Sequence, residues 1–480
     1  MDRKYAETVM SRLWLIALAY VLALMCAPMA RAAGVWSPPR RLVAVPRGVE
    51  AQEPELARDS AGDAVAVWLD VSRGSSGRVE ASTRRQGGAW SPAVTLGSGD
   101  LRYPQVAMDL QGRTTVVWSQ ASNDPRRRGK PRTARVEVEA RSYSVGGGWG
   151  AGVVLATRHE RLEEVEGEDG GSPTPQIAAQ GDEVVVAFAL LEPKAKPFEG
   201  REDVLLFTGK AGRWSAPVLA AHTFGDREMQ LGVDARGERI LAWSGAAVTR
   251  GWVETQIVSR NGRTRGPAQT VSRRSGAAEE LSLAVNPSGE AVLAWSQRLA
   301  DGDGSGPDEA TTRPAGGRFE EKPVILARKA EAALTAVGAD GTATVQFVRE
   351  KGIPPVEEGA GLEAAIHTAE GGWAKPTLVH RGVSPLALSV GAEGQLLGLW
   401  EGSIPGPLFE EEPRSIGVLD ASVQPARGIW QAPRTISPPG TEADGAALGV
   451  AADGQATAIW VLSPSEHGET IETSDYAPSP

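Results

Sequence analysis

Few residues in this 480-residue chain are spaced for chemistry. Its one cysteine is Cys26, close to the N-terminus. The rest of the chain therefore has no disulfide, no thiol nucleophile and no cysteine zinc site. Asp301, Asp303, Ser305 and Gly306 stand at positions one, three, five and six of a calcium loop, whose hard oxygen ligands suit Ca²⁺. Position twelve, which completes such loops with a bidentate acid, is Thr312. These three oxygen-bearing residues are the one candidate metal site, and no cofactor other than calcium is expected. His159, His222 and His380 lie far apart in sequence, where a transition-metal site needs converging ligands. No G-x-S-x-G elbow, H-E-x-x-H helix or P-loop occurs. Carboxylates are abundant enough for a glycosidase-like acid/base pair, but none is singled out. A basic run, Arg126, Arg127, Arg128, Lys130 and Arg132, precedes an acidic one, Glu160, Glu163, Glu164, Glu166, Glu168 and Asp169. The two either neutralise each other or frame a polar ligand site. A further acidic run follows Phe409, at Glu410, Glu411 and Glu412.

The elements that carry these residues begin with an address. Arg3, Lys4 and Arg12 precede an apolar stretch over 13–27, then Pro28 and the small-residue exit Ala30, Arg31, Ala32. This pattern reads as a secretory signal peptide over 1–32. A secreted, periplasmic or cell-envelope location is expected, with no membrane span left after cleavage. The formal net charge of −10 argues against a nucleic-acid partner, which needs a basic face.

Two phrases then recur. The first is an aromatic residue followed by a proline and a short apolar run, as at Trp36, Trp90, Trp214, Trp373 and Trp430, with weaker copies at Trp149, Arg265 and Phe319. The second is an apolar strand, a turn ending in glycine and a strand ending in an aromatic residue. Its closing residues are Trp68, Trp118, Phe188, Trp243, Trp295, Phe347, Trp400 and Trp460. Thirteen tryptophans follow the signal segment, and only Trp252 falls on neither phrase, so these rings read as core. The D-x-x-G turns at 59–62, 109–112 and 234–237 suit a type I turn closed by a glycine at positive φ. Each inner strand carries a small residue at one position: Ala57, Ala107, Ala178, Gly232, Ala284, Ala336, Ser389 and Gly449. Crowding of inner strands around an axis accounts for this.

The mature chain opens with an orphan outer strand over 36–45 and ends with a repeat that lacks one. The expected fold is all-β, a single eight-bladed β-propeller of four-stranded antiparallel blades over 33–476, its ring closed by the N-terminal strand and followed by a tail at 477–480. Seven blades, with one poor repeat inserted, is the alternative. The strand, Asp-turn, strand and tryptophan pattern resembles secreted bacterial β-propellers of the sialidase/BNR-like and WD40-like type over roughly residues 34–476. The S-x-D-x-G-x-T-W box and the WD dipeptide are absent. A sialidase-like activity would bring three arginines, a Tyr/Glu pair and an Asp, and none of these maps onto a numbered position here. Tight turns join strands one to two and three to four, which leaves the long loops together on the other face, where function is expected. The main reading is a non-enzymatic monomer that binds a protein partner or a surface polymer, such as a glycan, through that face. The alternative is an extracellular carbohydrate-active hydrolase or lyase of sialidase-like fold.

Overall fold

The second strand of each repeat centres on a largely apolar segment, and the structure, a computed structural model, buries that segment on both faces. Ala64–Ser72 is buried at its first seven positions, and Ala456–Ser463 behaves in the same way. Such a strand needs a packed sheet on each side. The third strand of the second repeat alternates instead. Thr133–Ser144 buries Ala134, Val136, Val138 and Ala140 and leaves the residues between them partly or fully exposed, the period of a pleated strand.

The structure describes residues 34–72, 77–124, 133–161, 173–191, 201–224, 226–247, 250–274, 277–298, 305–349, 361–391, 393–409, 412–426, 428–439, 441–451, 453–463 and 468–478. The chain divides into two compact units, Trp36–Tyr476 and the chain ends Met1–Val35 with Ala477–Pro480. In the second unit, Val35 and Ala477 are extended. The signal segment 1–32 lies outside the described residues.

Among the described residues there are strands and no helix, and the strands form seven hydrogen-bonded sheets. A plain case is Asp226–Val233, Arg239–Ala247, Arg250–Val258 and Gln269–Arg274, paired antiparallel in chain order. The largest sheet covers two repeats because one strand, Val94–Met108, serves both. Its residues 94–99 pair with Gly77–Arg84, and 100–108 pair with Thr114–Asn123.

The sheet formed by Glu442–Val450, Ala456–Ser463 and Thr470–Ala477 takes its outer strand from the other end of the chain. Arg40–Ala44 pairs with Thr470–Ala477, and the Ser37 amide donates to the Asp475 carbonyl at 2.8 Å. Side chains join the same two repeats. Arg84 donates to both Asp475 oxygens at 2.7 and 2.8 Å, and to Thr457 Oγ1 at 2.7 Å. Burial pushes the Asp475 carboxyl up. The Arg84 and Thr457 hydrogen bonds outweigh that and hold it below the usual carboxylate range.

The turns repeat in geometry. In the 109–112 turn, the Gly112 amide donates to the Asp109 carbonyl at 2.9 Å, and Asp109 Oδ1 accepts from the amides of Gln111 and Arg113, also at 2.9 Å. Gly112 has φ +71°, where a Cβ is strained. The turns at 338–341 and 451–454 keep the same backbone bond without the aspartate, so glycine is the fixed requirement and the carboxylate adds a local cap.

The small inner-strand residues have a close physical cause. A Cβ on Gly232 would lie 2.8 Å from Val285 Cβ of the next repeat, and one on Gly449 would lie 3.1 Å from Arg58 Cβ of the first repeat. The next inner strand packs directly onto this position. The tryptophans fall into two classes. Trp68, Trp118, Trp243, Trp295, Trp400 and Trp460, which close second strands, are at most 1% exposed. Trp90, Trp149, Trp214, Trp373 and Trp430, at the third-to-fourth strand turns, are half-buried.

Truncating Trp118 to Ala is expected to cost about 3–5 kcal/mol in chemical denaturation, as for a fully buried ring. Deleting residues 34–46 strips a strand from the final sheet and is expected to lower the melting temperature of the whole Trp36–Tyr476 unit. Melting like that of the parent would make the strand dispensable. Acidification below the ordinary carboxylate range should protonate Asp475 and release Arg84. Asp475→Asn should remove that part of the acid sensitivity.

Candidate active site

Three inner strands open on the same frame: Pro54, Glu55, Leu56, Ala57; then Pro104, Gln105, Val106, Ala107; then Pro175, Gln176, Ile177, Ala178. In Val49–Arg58 and Val94–Met108, the residue before the proline sits in a β-bulge, where the register shifts between Gln52 and Glu55 and between Arg102 and Gln105. Glu53 and Tyr103 take φ +50° and +55° there. A side chain in the left-handed region costs roughly 1–3 kcal/mol, and such strain gathers at functional sites.

The two bulges lock together. The Tyr103 amide donates to Glu53 Oε2 at 3.0 Å, and Gln105 Nε2 donates to Glu55 Oε1 at 2.8 Å. Arg102 stands near enough to Glu53 to pull its carboxyl down, against a burial effect that raises it. Burial pushes Glu55 up to about 7, with the Gln105 hydrogen bond opposing and the neighbouring Glu53 charge reinforcing the shift. Glu55 is nonetheless partly open to solvent, and Glu53 is exposed. The corner thus holds a carboxyl pushed up to about 7, a second carboxyl and a guanidinium, which is equipment for general acid–base work.

A counterpart separates the structural part of this arrangement from the rest. In a later pair of repeats, Glu228 occupies the position of Glu53 and accepts from the amides of Glu280 and Leu281 at 2.9 and 2.6 Å. Glu280 again has φ +55°. The contact between Glu53 and the Tyr103 amide is therefore a recurring staple between repeats. Glu55 is different. The equivalent residues are Gln105, Gln176, Gln230, Ser282, Leu334, Ala387 and Ala447, so one carboxyl stands among amides, a hydroxyl and aliphatics. A carboxyl at a position where no other repeat has one is the sequence signal for Glu55, and it does not show as a paired carboxylate.

Asp308 contrasts with this corner. Its carboxyl is pushed to about 7 by burial, with Ser296 opposing and Glu280 and Glu331 adding to the rise. It is completely buried, as is its neighbour Glu309, and it offers no face to a substrate.

Of the residues singled out from sequence, Asp301 and Asp303 lie outside the described residues, and Ser305 enters only as the first residue of the strand Ser305–Arg313. The basic run 126–132 and acidic residues 163–169 also lie outside, as do Glu410 and Glu411. His159 bonds Asp124 and His222 bonds Asp203, each at 2.9 Å, while His380 meets the Arg381 carbonyl at 2.8 Å. Among the described residues no three His, Cys, Asp or Glu side chains are grouped to hold a metal ion.

No family model matches the chain, and no curated protein resembles it in sequence. Solved structures resemble it in fold. An ulvan lyase, a polysaccharide lyase, is 11% identical, with 92% of this chain and 94% of that one covered and a TM-score of 0.45. The β-propeller domain of the Trilobed protease from Pyrococcus furiosus is 7% identical over 82% of this chain and 99% of its own, at a TM-score of 0.41. NanB sialidase from Streptococcus pneumoniae is 10% identical over 94% of this chain and 72% of its own, at 0.39.

The Asp308 carboxyl loses its proton in the folded protein only near pH 7, far above its unfolded value. Its contribution to stability is thus complete below about pH 4 and is lost as the pH rises through 7. Asp308→Asn should therefore gain about 1–3 kcal/mol on the parent between pH 5 and pH 8 in denaturant titrations.

Proposed function

We propose that this chain is an eight-bladed β-propeller, closed by its N-terminal strand, that acts outside the cytoplasm as a carbohydrate-active enzyme, a hydrolase or lyase of polysaccharide. The pairing of Arg40–Ala44 with Thr470–Ala477 and the Arg84 bonds to Asp475 support the closure. The signal-like start supports export, and no helix among the described residues is long and apolar enough to cross a membrane.

One observation carries the enzymatic reading. Glu55 is partly open to solvent, yet its carboxyl holds a proton to about pH 7. In glycoside hydrolysis the protonated Glu55 gives its proton to the glycosidic oxygen as the C–O bond breaks. Glu53, exposed at the rim, takes a proton from the water that attacks the anomeric carbon. For a uronate polymer, Glu53 takes the C5 proton, the double bond forms between C4 and C5 as the C4–O bond breaks, and Glu55 protonates the leaving oxygen, while Arg102 supplies the positive charge that the uronate carboxylate needs. The site is complete within one chain, consistent with a monomer. Calcium at Asp301, Asp303 and Ser305 remains part of the proposal as an accessory ion.

Purified protein should be tested on a panel of bacterial and algal polysaccharides. Reducing-end release reports hydrolysis, and ultraviolet absorbance of an unsaturated product reports elimination. Glu55→Gln is expected to lower kcat/KM by about 10²–10⁴ and to abolish the titration near pH 7 in its pH profile, with the melting temperature retained. Undiminished turnover by this variant would remove Glu55 from the mechanism. Binding without turnover by the parent would return the chain to a non-enzymatic scaffold.

A further inference from the structure

Two cavities open where the tight turns of adjacent repeats meet. One, of about 350 Å³, is lined by Asp109, Arg113, Asp182, Tyr143 and Trp214, with the glycine turn at 147–148 on its rim. The other, of about 360 Å³, is lined by Asp63, Arg85, Ser91 and again Tyr143. Each is at the lower end of the size range of small-molecule sites. Both cavities include first-to-second and third-to-fourth strand turns or their flanks, so they lie on the tight-turn face, away from the bulges that carry Glu53 and Glu55.

Three features define what would fit. Tyr143 is the wall the two cavities share, half-buried, with its ring 5.3 Å from that of Trp149. The charged groups come in neutralised pairs. Arg113 binds Asp109 at 2.7 Å, Arg85 binds Asp63, and Lys210 binds Asp182. Such pairs offer donors and acceptors side by side with little net field. The rim glycines are open: a Cβ on Gly146, Gly148 or Gly212 would meet nothing within 4 Å. Aromatic walls for C–H faces, paired donors and acceptors for vicinal hydroxyls, and the absence of uncompensated charge together describe a site for neutral sugar rings.

We infer that the tight-turn face carries a second, non-catalytic saccharide site, in which a neutral oligosaccharide lies across Tyr143 with sugar units in both clefts. This deepens the carbohydrate-active reading and rests on it for the ligand class. Its geometry is independent of Glu55.

The test is calorimetric titration of the full chain carrying Glu55→Gln with cellotetraose, xylotetraose and mannotetraose, each beside its disaccharide. At least one tetrasaccharide should bind, and at least tenfold more tightly than its disaccharide. Tyr143→Ala should weaken that binding tenfold or more. Gly148→Asn adds a side chain that tolerates φ +71° at the lining of the first cleft, where a Cβ meets nothing within 4 Å. It should weaken the tetrasaccharide while sparing the disaccharide, which still has the second cleft. Circular dichroism and thermal melting confirm the fold of each variant. If no tetrasaccharide binds, or if binding survives both substitutions, the inference is overturned. Turnover on polymers by the parent is read separately, so loss of this site and loss of the Glu55 mechanism are distinguishable.

Discussion

The tryptophans that close the second strands are buried between sheets rather than within one. Trp118 packs with Val65, Val67, Val79 and Leu96 of the preceding repeat, and Trp295 packs with Ile240, Ala242 and Val253 of the repeat before it. No repeat can bury its own ring, so each is stable only against a neighbour. The first repeat obeys the same constraint. Trp68 shares a cluster with Ile459, Val461 and Ile471 near the end of the chain, so the first repeat must meet the last before Trp68 leaves water. Everything else, including the crowding at Gly232 and Gly449, follows from sheets held face to face at this spacing.

Much of this was legible in the sequence because repetition multiplies weak signals. A single D-x-x-G is a common turn, but seven related turns, each followed by a strand ending in an aromatic residue, define a register. The orphan strand near Trp36 was recognisable because a repeat at the other end lacked its partner. The site was less legible for the same reason. Glu55 differs from Gln105, Gln176 and Gln230 by one atom at a position that later repeats fill with serine, leucine or alanine, and its chemistry comes from burial, which no local pattern encodes. The positive φ of Glu53 and Tyr103 was equally hidden. It arises when one inner strand must accommodate an extra residue against its neighbour, and it places the residue before each proline in a region that proline itself disfavours. The half-buried class of tryptophans was also merged with the core class, since both occur in regular phrases.

The acid corner and the buried acids illustrate how one fold treats similar carboxyls differently. Asp308 is completely buried, while Glu55 and Asp475 are partly open to solvent. Asp475 meets guanidinium and hydroxyl donors that hold its carboxyl low, whereas at Asp308 the Ser296 hydrogen bond and the Arg349 charge do not offset burial and the carboxyl is driven toward neutrality. Glu55 is intermediate, with one amide donor and an opening to water. Proton affinity is thus set by the number of donors each blade directs at the oxygen more than by depth alone.

The strand Val94–Met108 passes from one repeat into the next without a connecting loop. Arg102, Tyr103 and Gln105 ride on it. An insertion or deletion of one residue upstream of the bulge would turn every following side chain to the opposite surface and uncouple two sheets at once. Lineages descended from this gene should therefore keep this crossing at constant length, a signature that comparative genomics could read without any assay.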